Sequence, residues 1–144
     1  MADTASRTVL VGFDGSPSSR AAVRRAAASA GPGGKVVVAY AIHPSAQWAS
    51  VGASSSGPPR SAIARNRQVG EAVLAQLDEA ELEGVEVEKV LLEGRPSVVL
   101  DALARQHDVA EVLVGAGKPG ALHGRVPRAL LRATTDRPVV VVPA

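Results

Sequence analysis

The chain has 144 residues, with 16 Lys and Arg against 14 Asp and Glu, a formal charge of +2 that points to neither DNA nor a membrane surface as partner. Apolar side chains make up 46% of it, too many for a disordered chain, and aromatic ones only 2%, too few for a base-stacking platform on single-stranded nucleic acid. Cysteine is absent, which removes disulfides, thiolate metal sites and cysteine nucleophiles.

The length predicts a single domain over residues 1–144. Met1–Arg7 is polar and does not read as a signal peptide. The apolar runs, Val139–Val142 among them, are too short to span a bilayer, so a cytoplasmic protein with no membrane partner is expected.

Thr8–Phe13 is a short β-branched run that stops at the turn formers Asp14-Gly15-Ser16-Pro17. Ser16 is placed to cap a helix over Ser18–Ala30, where Ala22, Val23, Ala26 and Ala27 recur at helical spacing before a Gly-Pro-Gly-Gly stop. Lys35–Ile42 is a continuous apolar run, the pattern of a parallel strand covered on both faces. Residues 43–60, rich in Ser, Gly and Ala and holding the sole Trp, Trp48, predict one long mobile loop. Ala62–Leu82 reads as one helix and Val85–Leu92 as a half-buried strand at a sheet edge. After a turn at Gly94–Ser97 come a short helix over Val98–Gln106 and a short strand at Val112–Val114. A helix over Val126–Ala133 and a last strand over Pro138–Val142 complete the order. Strands alternating with helices imply right-handed crossovers and a parallel sheet, an α/β fold with helices on both faces. Ligands of such sheets lie at the carboxyl ends of the strands, here Asp14–Ser16, Ala41–Pro44 and Gly115–Arg125.

Two readings of Asp14-Gly15-Ser16 stay open: a turn with a helix cap, and a ligand site in which Asp14 accepts a hydrogen bond from a ribose or a base. Gly115-Ala116-Gly117-Lys118-Pro119-Gly120 fits G-x-G-x-x-G. It is a poor dinucleotide fingerprint, because Pro119 breaks the turn and the run follows a late strand. It is no Walker A loop, since Pro119 stands where Ser or Thr is needed. There remains a Gly-rich loop with Lys118, His123 and Arg125 ahead of a helix, which suits an anion; a merely solvated loop is the other reading. Ser16 lies in no G-x-S-x-G elbow, and His43, His107 and His123 show neither pairing nor metal-ligand spacing. His107 is expected to be solvated at a polar helix end. Neither a hydrolase nor a metalloprotein is expected.

Taken in order, the segments VLVGFDGSPSSRAAVRRA, VVVAYAI, EGRPSVVLDAL and VPRALLRATTDRPVVVVP resemble the universal stress protein family from Thr8 to Pro143. The resemblance implies a five-stranded parallel sheet in the order 3-2-1-4-5, Rossmann-like and of the adenine nucleotide alpha hydrolase-like type. It also implies an adenine nucleotide, ATP, lying across the strand ends without turnover. Asp14, Gly15, Ser16 and Ala41 would then lie near adenine and ribose. The phosphates would lie on a G-x2-G-x9-G-[Ser/Thr] loop, matched here by Gly115, Gly117 or Gly120, and Gly124, with Lys118, Arg125 and Val126 beside them. Gly115 and Gly124 are nine positions apart, four fewer than that pattern requires, and Arg125 replaces the hydroxyl residue. The resemblance further implies a homodimer built on Pro138–Val142, an apolar edge open to pairing. A nucleotide-independent homodimeric scaffold with a degenerate phosphate loop is the competing reading.

Overall fold

A computed structural model describes residues 7–42, 60–77, 79–116 and 136–143. Five strands form one sheet: β1 (Thr8–Gly12), β2 (Lys35–Ile42), β3 (Glu86–Glu93), β4 (Val112–Gly115) and β5 (Val139–Val142). Every pairing is parallel and the order is β3-β2-β1-β4-β5, as the family resemblance implied. Among the described residues three α-helices lie between the strands from β1 to β4: α1 (Pro17–Ala30), α2 (Arg60–Ala75) and α3 (Pro96–Gln106). Among the described residues no helix is long and apolar enough to cross a membrane.

Val9 and Val11 of β1 point to one face of the sheet and Leu10 to the other, and all three are fully buried. The first face is covered by α1, which lays Ala22, Ala26 and Ala30 against Val36, Val38 and Leu113. Alanine at four-residue spacing keeps the flank of α1 thin, so helix and sheet approach closely. The scarcity of aromatic residues follows from this packing. On the same face α2 crosses β2 and β3 at Gly70, where a Cβ would stand 2.6 Å from Leu91 Cδ1 and 2.7 Å from the Tyr40 ring. The opposite face carries α3, whose Val99, Leu100, Leu103 and Ala104 bury Val37, Val112 and Val114.

Several local expectations change. The helix expected over Ala62–Leu82 is two pieces: α2 ends at Ala75, and Glu79–Leu82 is a separate 3-10 turn. The chain tightens there, with the N–H groups of Gln76 and Leu77 bonding three residues back to Val73 and Leu74. Pro96 starts α3 rather than belonging to the turn before it, because the first turn of a helix needs no N–H from it; Pro17 stands in the first turn of α1 in the same way. His107 is not solvated: its side chain is 16% exposed and Nε2 lies 3.7 Å from Glu88 Oε2. It closes α3 by folding back over β3. Residues 43–59 of the expected long loop and the expected helix over Val126–Ala133 lie outside the described residues, while Arg60 already belongs to α2.

Candidate functional site

At the carboxyl end of β1 the Phe13 N–H still donates to Ala39 O of β2 (2.9 Å), so Asp14 is the first residue to leave the ladder. Gly15 reverses the chain with φ +83°, a conformation that disfavours any side chain. Ser16 then caps α1. Its Oγ accepts the Ser19 N–H at 3.2 Å, while Ser19 Oγ donates to Ser16 O at 2.9 Å. The Ser16 N–H donates to Asp14 Oδ1 at 2.9 Å, an Asx turn that fixes the carboxylate against the start of the helix.

This turn sets the charge of Asp14. Partial burial works to raise its pKa, but hydrogen bonds from the hydroxyl and N–H of Ser16 and from the Ser19 hydroxyl outweigh it. They hold the carboxyl below its ordinary value. The result is an exposed, firmly anionic acceptor at the tip of the central strand. Across from it Tyr40 titrates higher than usual, first through burial and then through the negative charge of Asp14.

Gly115, at the end of β4, meets the same turn from the other side. A Cβ on it would stand 2.5 Å from Ser18 Oγ and 2.6 Å from the Ser19 backbone nitrogen, so the first turn of α1 rests directly on this strand end. Its lack of a side chain therefore has a packing reason independent of any phosphate. Ala116 continues the sheet by donating its N–H to Val142 O at 2.9 Å. Ala41, near the end of β2, is half-buried on the α3 face and pairs with Leu92. Of the residues expected at the site, Asp14, Gly15, Ser16, Ala41 and Gly115 thus all belong to the carboxyl ends of β1, β2 and β4. Gly117, Lys118, Gly120, Gly124, Arg125 and Val126 lie outside the described residues.

Sequence reasoning missed Arg20. Its Nε donates to Gly15 O at 3.2 Å and its Nη2 to Gln76 Oε1 at 2.8 Å. Spacing places Arg20 just past the cap, but nothing in the sequence announces a partner 56 residues later. Tyr40 was missed as well, being hidden within an apolar run.

The Asp14 carboxylate and the N-terminus of α1 thus stand at the carboxyl ends of β1 and β4, where strand order reverses and where ligands of such sheets lie. The profile of the universal stress protein family matches residues 5–143. The chain belongs to the universal stress protein family. Among solved structures it is similar to a universal stress protein in complex with cAMP, at 26% identity over 94% of this chain and 95% of that one, with a TM-score of 0.57. It shares its fold with the universal stress protein from Archaeoglobus fulgidus in complex with dAMP (18% identity, 94% and 97% coverage, TM-score 0.63). It shares it also with universal stress protein UspA from Lactobacillus plantarum (13% identity, 97% and 99% coverage, TM-score 0.70). No curated protein matches.

Proposed function

We propose that this universal stress protein is a stress-response module that takes an adenine nucleotide across the carboxyl ends of β1, β2 and β4 and does not turn it over. The observation that carries this reading is Asp14, an anionic acceptor locked by Ser16 and Ser19 at the point where strand order reverses. A fixed carboxylate there suits a neutral donor such as a ribose hydroxyl or the exocyclic amine of adenine. The cAMP and dAMP held by relatives of the same fold support adenine as the base. The same geometry supports the absence of turnover. A carboxyl held below its ordinary pKa is a weak general base, and the Ser16 and Ser19 oxygens are both engaged in the cap.

On the phosphate side, Lys118 and Arg125 supply charge, but the interval from Gly115 to Gly124 presents fewer backbone N–H groups than the family pattern. Monophosphates such as AMP therefore lose less than ATP. Calorimetric titration of AMP and ATP into the purified protein tests both points. Binding of AMP at least as tight as that of ATP is expected; no heat from either at millimolar concentration would end the reading.

A second reading concerns assembly. β5 is a sheet edge, and its Val141 is 41% exposed whereas Val140 packs into the core. We propose that two copies pair through β5, whether or not nucleotide is bound. Val141→Lys should then give a monomer by light scattering without loss of fold. A dimer mass unchanged by that substitution would count against it.

A further inference from the structure

Arg20 does more than decorate the surface of α1. Its guanidinium carbon lies 6.0 Å from the Phe13 ring centroid, so the planar group faces an aromatic ring while two of its nitrogens donate in different directions. One donation goes to the carbonyl of Gly15, the middle residue of the Asp14 turn; the other goes to Gln76, the first residue past α2. Gly15 also lies against that helix end, since a Cβ on it would meet Val73 Cγ1 at 3.3 Å. The turn that carries Asp14 is thus clamped between Phe13 below and the end of α2 beside it, and Arg20 is the residue that joins them. Lysine could not do this, because a point ammonium has neither the flat face nor the two divergent N–H groups in one plane.

We propose that Arg20 is a positioning residue for the Asp14 carboxylate. By holding the Gly15 carbonyl it fixes the peptide that orients the Ser16 N–H toward Asp14 Oδ1, and through Gln76 it makes that orientation depend on where α2 ends. The proposal rests on the nucleotide reading above for its consequence, but not for its geometry. Any displacement of the end of α2 is transmitted to the acceptor that receives the nucleotide.

Arg20→Met keeps the aliphatic stem over Phe13 and removes both donors. Two measurements on the full chain at 25 °C separate positioning from simple stabilisation. Calorimetry with AMP should show affinity weakened about three- to tenfold, the scale of one lost intramolecular hydrogen bond. Hydrogen exchange should show the Ser16 amide speeding up more than the Val37 amide in the core of β2, whereas a general loss of stability speeds both alike. Gln76→Ala should reproduce the same pattern more weakly, and Arg20→Lys should fail to restore the wild-type values. AMP affinity within about 1.5-fold of wild type, against the scale of one hydrogen bond, would overturn the proposal, as would a Ser16 amide that speeds up only in step with Val37. If the wild type binds no AMP, the nucleotide reading fails alone, and the exchange comparison still decides whether Arg20 positions the turn.

Discussion

Gly115→Ala puts the contact between α1 and β4 to a quantitative test. In a strand, replacing Gly by Ala ordinarily favours folding by roughly 0.5–1 kcal/mol, because the unfolded chain loses freedom. Here the new methyl would meet the Ser19 backbone nitrogen at 2.6 Å, whereas ordinary contact begins at 3.4 Å, so the first turn of α1 must retreat by about 0.8 Å. That turn cannot give way by changing the Ser18 rotamer alone, because behind Ser18 Oγ the opposing atoms, Ser19 N and Ser18 C, are backbone, and Ser16 and Ser19 are tied into the cap. Overpacking of this kind costs about 1–3 kcal/mol and exceeds the entropic gain. At this chain length a net loss of about 1–2 kcal/mol lowers Tm by roughly 3–8 °C. Gly12→Ala is the matched control. It sits beside β4 at the end of β1, and its Cβ would meet side chains rather than backbone, the Leu100 Cδ1 tip at 3.0 Å and Val114 Cγ1 at 3.4 Å. Its Tm should move by no more than about 2 °C. Thermal melts followed by circular dichroism read both variants. A Gly115→Ala protein as stable as wild type, or a Gly12→Ala protein that loses as much, would refute the packing account.

Three further predictions follow from the same contacts. Asp14 has a folded pKa below its unfolded one, so the stability it adds is complete above about pH 4 and fades as pH falls through the folded value. Asp14→Asn should therefore lower the urea midpoint at pH 7 and flatten the acid limb of its pH profile; an unchanged acid limb would contradict the assignment. Arg137, nearly buried, donates from Nη1 to Ala104 O near the end of α3 and from Nη2 to Asp136 Oδ2 at 3.2 Å, while its Nε is buried without a partner among the described residues. Arg137→Met removes the helix cap but also that unpaired N–H, so the net cost should be about 1–2 kcal/mol by urea titration. A loss above about 4 kcal/mol would mean that more than these bonds depends on it. In Gly70→Ala the added methyl presses on side chains only, so it should cost less than Gly115→Ala in Tm and should alter the near-ultraviolet signal of Tyr40. Equal losses from the two would argue that side chains here are as rigid as backbone.

The central strands were legible in the sequence because their environment is uniform. A strand buried on both faces is a plain apolar run, as in KVVVAYAI, and needs no partner to be recognised. The break after α2 was not legible, because Leu74, Leu77 and Leu82 are all buried and so continue a helical pattern across a chain that has already turned. The partial burial of His107 was equally hidden, since it lies beside Glu88, nineteen positions earlier in another element. At the site, Asp14 and Ser16 were legible through turn chemistry, a matter of neighbours in sequence. The role of Gly115 in seating α1 and the clasp of Arg20 on Gln76 are contacts between distant segments, to which composition and periodicity are blind.

The strand order also has a consequence for how the chain is made. β1 is the middle strand, yet its two neighbours arrive at very different times: Leu10 pairs with Val37 early and with Val112 only after roughly 100 more residues. At synthesis rates of about 5–20 residues per second, one edge of the strand leading to Asp14 stays unpaired for roughly 5–20 s. A β1–α1–β2 unit emerging from the ribosome thus carries an apolar edge, Val9-Leu10-Val11, with nothing yet made to cover it. The strand at the heart of the finished sheet is the one that waits longest for its second partner, and during that wait the nascent chain is most open to chaperones and to pairing with its own copies.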